Sequence, residues 1–119
     1  FRMTTPQDKL EKLRSELPPP PKPAGLYVPA VHLTESNLLY ISGHGPTRMD
    51  GGWVQGKVGA DITTDDARHA ARLTALAMLA TIEDALGSVN KVKRVVKSLC
   101  MVNAVTTFTD HIVVANGYA

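Results

Sequence analysis

The chain has 119 residues, 44% of them hydrophobic and 20% charged, which fits one domain with a modest core and excludes a wholly disordered polymer. A net charge of +2 gives little overall pull on a polyanion, and a single cysteine, Cys100, excludes an internal disulfide framework and suits a reducing compartment. No apolar run approaches the ~18 residues that span a bilayer, and the N-terminus lacks a secretory apolar core, so a cytoplasmic protein without a membrane partner is expected.

Met3-Thr4-Thr5-Pro6 reads as a natural start. Thr5 can cap a short helix, Pro6 suits its first turn, and Leu10, Leu13 and Leu17 recur at helical spacing. Pro18-Pro19-Pro20-Pro21 must end that helix, and an extended linker follows to about Pro23. Tyr27, Val28, Val31 and Leu33 predict a strand over 26–33, with Pro29 marking an edge or a bulge. After a turn at Glu35-Ser36-Asn37, Leu38-Leu39-Tyr40-Ile41 predicts a second strand, and the two are expected to pair as a hairpin.

Asp50-Gly51 signals a turn, after which Trp53 and Val54 could add a short strand. Thr63 or Thr64 then caps the clearest element, a helix with Asp65 and Asp66 in its first turn, many alanines along its length and Gly87 as its stop. Residues 92–102 read as a long strand, and Thr109 or Asp110 could cap a last helix from His111. The apolar run Ile112-Val113-Val114-Ala115 needs a surface to pack on.

The best candidate site is Ser42-Gly43-His44-Gly45-Pro46, where glycines after an apolar strand let the backbone turn sharply and present amides to a small anionic or carbonyl ligand. A plain structural turn suits the same pattern. His44 could exchange protons near neutral pH, and Tyr27 could offer a phenol, although a solvated histidine and a strand-anchoring tyrosine are the commoner situations. His32, His69 and His111 lack metal-site spacing, so no metal is expected. Lys91, Lys93, Arg94 and Lys97 form a local basic cluster that reads first as a solvated face, and no nucleotide fingerprint or stacking motif accompanies it.

In order and spacing, Ala24-Gly25-Leu26-Tyr27-Val28-Pro29-Ala30-Val31, Leu39-Tyr40-Ile41-Ser42-Gly43-His44-Gly45-Pro46, Val92-Lys93-Arg94-Val95-Val96-Lys97 and the later Met101-Val102-Asn103, Phe108 and Ala115-Asn116-Gly117-Tyr118 resemble the RidA/YjgF family, also called endoribonuclease L-PSP-like. The resemblance covers about Pro23 to the C-terminus, and His44 stands where many members have glutamine. It implies an α+β, chorismate-mutase-like (YjgF-like) fold, a mixed sheet packed on helices, assembled as a homotrimer with clefts between subunits. Residues 1–22 would be an N-terminal helix and Pro-rich linker, and 23–119 the family domain without its C-terminal strands.

The implied activity is hydrolytic deamination of small enamines and imines, of the 2-aminoacrylate or 2-iminobutanoate type, to 2-oxo acids and ammonia, without a cofactor. By matching position Tyr27, Ser42 and His44 would be catalytic, and Gly43, Asn103 and Asn116 would bind the substrate. The family's carboxylate-binding arginine and late glutamate follow the second helix, beyond the residues given, and Arg94 does not substitute for the arginine. Two alternatives stay open: a non-catalytic protein that binds a small carboxylate or regulates a partner, and an endoribonuclease acting on single-stranded RNA.

Overall fold

The computed structural model describes residues 2–119. Helix α1 (Pro6–Lys12) starts in a reciprocal cap: the Thr5 hydroxyl accepts from the Asp8 amide, and the Asp8 carboxylate accepts from the Thr5 amide. The chain tightens into a 3-10 turn at Arg14–Glu16, and Leu10 and Leu17 are buried against Leu76, Ala80 and Val89. Each leucine buried in this way contributes ~1.5–3 kcal/mol, so the leucine stripe drives the docking of this arm.

Polar contacts fix the arm's orientation. Gln7 accepts from the Val89 amide at 2.9 Å and donates to Glu83, while Arg14 reaches both Glu11 and Glu83. Hydrogen bonds from Arg14 first and Gln7 second pull the Glu83 carboxyl down to about 2.

Strands β1 (Ala30–Leu33) and β2 (Leu38–Ile41) form the expected hairpin, antiparallel, with Ala30 opposite Ile41 and Leu33 opposite Leu38. Asn37 takes a positive φ of 55° in the turn, a conformation asparagine tolerates. Pairing begins at Ala30 rather than near Leu26, because Pro29 has no amide to offer. The short strand expected at Trp53 is reduced to one bridge with Thr47.

Helix α2 (Thr64–Leu86) is the axis of the molecule. The Thr63 hydroxyl accepts from the Asp66 amide at 3.1 Å, and Gly87, at φ 82°, ends the helix by donating to the Glu83 carbonyl at 2.7 Å. Its small buried residues Ala67, Ala70, Ala77 and Ala80 admit close neighbours. The C-terminal half of α2 packs on the α1 arm, and the N-terminal half packs with Val58 and Val114 of α3 (His111–Ala115). Asp110 precedes α3, but neither it nor Thr109 caps with a side chain.

The expectation of a long strand over 92–102 is corrected. The segment forms no ladder, and the only sheet among the described residues has two strands rather than the mixed sheet expected. A strand needs a neighbour, and residues 93–101 exchange no backbone hydrogen bond with another segment. Val95, Val96, Leu99 and Met101 are each at least 74% exposed. The segment is tied down near its end, where the Val58 amide donates to the Asn103 carbonyl and the Val105 amide donates to the Val58 carbonyl. A longer contact joins the hydroxyls of Ser98 and Tyr118 at 3.4 Å.

Candidate functional site

Residues 42–46 leave β2 without regular secondary structure. Neither Gly43 nor Gly45 has a positive φ, so the sharp glycine turn expected here does not form. The two glycines act differently. A Cβ on Gly45 would stand 2.6 Å from the Trp53 ring, so glycine lets the indole close over the loop, whereas a Cβ on Gly43 would meet nothing within 4 Å. The amides of Gly43, His44 and Gly45 donate to no acceptor among the described residues.

The loop's side chains, by contrast, are engaged. The Ser42 hydroxyl donates to the Val28 carbonyl at 2.6 Å, tying the loop to the entry of β1. His44 Nδ1 lies 2.7 Å from the Ser42 carbonyl, and Nε2 lies 2.7 Å from the Thr81 hydroxyl on α2. A carbonyl can only accept, so Nδ1 carries the proton, and in the neutral ring Nε2 accepts from Thr81. Both ring nitrogens are therefore occupied, and His44 fastens the loop to the long helix. Thr81 is only 3% exposed, so this bond satisfies a buried hydroxyl as well.

Tyr27 stands at the mouth with its phenol oxygen accepting from the Ala24 amide at 3.2 Å, which leaves its O–H available to a ligand. Pro21, Lys22 and Pro23 of the linker, with Trp53, complete the walls of a crevice around Tyr27, Ser42, Gly43 and His44. The crevice encloses about 20 Å³, room for a single water molecule, so anything larger binds across its mouth.

Four of the six residues named from the sequence, Tyr27, Ser42, Gly43 and His44, thus meet in one place. Asn103 and Asn116 lie elsewhere in the single chain: the Asn103 side chain donates to the Gly56 carbonyl at 3.2 Å, and Asn116 ends α3 beside Arg68 and Arg72 of α2. Sequence reasoning missed Lys22, Trp53 and Thr81. Thr81 left one signal, a hydroxyl that with Thr74 interrupts the helix face carrying Ala70, Ala77 and Ala80. Among the described residues no cluster of three His, Cys, Asp or Glu could hold a metal ion, and no helix is long and apolar enough to cross a membrane.

No family model matches the chain. It is 37% identical over 108 residues to Protein TCP17 of Trypanosoma cruzi, covering 91% of this chain and spanning 66% of that relative's length. Among solved structures it is similar to a candidate endoribonuclease from Shewanella oneidensis, with a TM-score of 0.82 at 27% identity, over 97% of this chain and 75% of the other. It is also similar to Atu1372 of Agrobacterium tumefaciens, a protein of unknown function, with a TM-score of 0.73 at 34% identity, over 94% of this chain and 68% of the other. The likeness to the Shewanella protein supports a YjgF-like α+β fold, and at its level of identity and coverage with Atu1372 the chain belongs to one family with that protein.

Proposed function

We propose that the whole protein hydrolyses small enamines and imines of the 2-aminoacrylate or 2-iminobutanoate type to 2-oxo acids and ammonia. The observation that carries this reading is the row of uncommitted amides at Gly43, His44 and Gly45, beside the Tyr27 phenol and at the lip of a space that fits one water. Preorganised amides of this kind stabilise an anionic group without reorganising during the reaction. A water held in the crevice would add its oxygen to the imine carbon while the nitrogen takes a proton; the carbon–nitrogen bond then breaks, releasing ammonia and leaving the 2-oxo acid.

In this scheme Gly43 and its neighbours bind, Tyr27 donates a hydrogen bond, and His44 and Ser42 hold the loop in place. Asn103 would join from a neighbouring subunit if the protein assembles as the homotrimer its resemblance implies, whereas Asn116 lies in the α2 cleft and takes no part in this scheme. The test is ammonia release from freshly generated 2-iminobutanoate. The proposal expects acceleration over buffer, with Thr81→Val reducing kcat more than it raises KM because the loop loses its anchor; no acceleration by the full-length assembled protein would sink it.

A second reading, cleavage of single-stranded RNA, is favoured by the name of the Shewanella protein and by the exposure of Lys93, Arg94 and Lys97 on the unpaired segment. RNA cleavage by the same preparation, lost when these three cations are replaced together, would move the assignment to this reading.

A further inference from the structure

The second recess of the molecule lies between the first half of α2 and the end of α3. Asp65, Arg68, His69 and Arg72 stand at i, i+3, i+4 and i+7, so helix geometry sets them on one face. Asn116 and Gly117 close the opposite side, and the cleft measures about 450 Å³, within the range of small-molecule sites. Its rear wall is fixed, because a Cβ on Gly117 would lie 2.0 Å from the Arg68 carbonyl oxygen, and only glycine lets α3 come so near α2.

The charged groups are differently placed. Among the described residues Arg68 has no carboxylate within ion-pair distance. Arg72 already takes an oxyanion: its guanidinium lies 3.2 Å from the Glu16 carboxylate of the N-terminal arm, with both side chains at least 40% exposed. An exposed pair of this kind is weak, so an anion of higher charge can displace Glu16. Asp65 is the group in the cleft that repels an anion, and it is also an acceptor for a hydroxyl beside that anion.

We propose that this cleft binds a phosphate monoester carried on a small polyhydroxylated molecule, a sugar phosphate or a nucleoside monophosphate. Arg68 and Arg72 grip the phosphate in place of the Glu16 carboxylate, with His69 and Asn116 as further donors, and Asp65 takes a ligand hydroxyl. Guanidinium forks one helical turn apart suit the several oxygens of a phosphate, and the dianion competes for them better than a single carboxylate does. The site is separate from the loop crevice and does not depend on imine chemistry.

The test is a titration of the full-length protein with ribose 5-phosphate, adenosine 5′-monophosphate, inorganic phosphate and adenosine, followed by amide shifts and calorimetry. The two phosphate esters are expected to bind, shifting Arg68, His69 and Asn116, and adenosine is expected not to. Arg68→Ala with Arg72→Ala should weaken the esters by at least about tenfold, the loss of one or two charge-assisted hydrogen bonds. Glu16→Gln should strengthen them, an increase that no merely structural role for Arg72 predicts. Ester binding unchanged by the double variant, absence of binding at millimolar ester, or binding of a single-stranded oligonucleotide far tighter than of the monophosphate would each overturn the proposal.

Discussion

The two recesses are built on opposite plans. The crevice at Ser42–Gly45 is narrow, and its side chains are occupied within the chain, with Ser42 on Val28 and His44 on Thr81, so its backbone amides are what it offers. The cleft on α2 is open, and it offers side chains: Arg68 without an ion pair, and Arg72 in an exposed pair with Glu16. The α1 arm and its linker serve both, supplying Lys22 to the wall of one and, in Glu16, the ion-pair partner of Arg72 at the other. A motif rich in glycine and histidine thus advertises a backbone surface, while a charged helix face carries the donors.

The largest expected effect separates the walls of the two recesses. Gly117→Ala sets a methyl against a backbone carbonyl that cannot swing away, and should lower stability by about 1–3 kcal/mol, whereas Gly43→Ala, in open space and without a positive φ, should stay within about 0.5 kcal/mol. Urea midpoints measure both. Equal costs at the two positions would break the contrast between a packed wall and an open mouth.

A smaller effect tests the arm that the recesses share. The Glu83 carboxyl is held at about 2, below its ordinary 4.5, so the stability it contributes is complete above about pH 4.5 and is lost as pH falls toward 2. Hydrogen exchange in α1 should accelerate across that window, and Glu83→Gln should reduce the pH dependence to the part owed to Asp8, held down by its bonds to Thr5, and Glu11, held down by Arg14. Acceleration confined to α3 would place the acid-sensitive contact elsewhere.

Much of this frame was legible in the sequence. Thr5, Thr63 and Gly87 mark the ends of α1 and α2 because caps and stops are local chemistry, and Leu38–Ile41 after an Asn37 turn is a local hairpin signal. The segment 92–102 reads as a strand because β-branched composition reports extended backbone, while a strand is defined by a neighbour that composition cannot supply. The loop was found for a partly mistaken reason. Its glycines were expected to turn the chain, and Gly45 instead clears space for Trp53, a contact across a bridge that no local pattern encodes. The α2 cleft is not legible residue by residue, because His69 alone lacks a metal site's spacing and Asp65 alone suits a helix N-terminus; the signal is the i, i+3, i+4, i+7 spacing with Arg68 and Arg72.

The most direct test of two independent recesses is a single mapping of amide shifts in the presence of 2-oxobutanoate and then of adenosine 5′-monophosphate. The account predicts disjoint responses: Gly43, His44 and Gly45 with the oxo acid, and Arg68, His69 and Asn116 with the phosphate, each ligand leaving the other's affinity unchanged. One shared set of shifted amides, or a response to the oxo acid centred on Arg68 and Arg72, would contradict it.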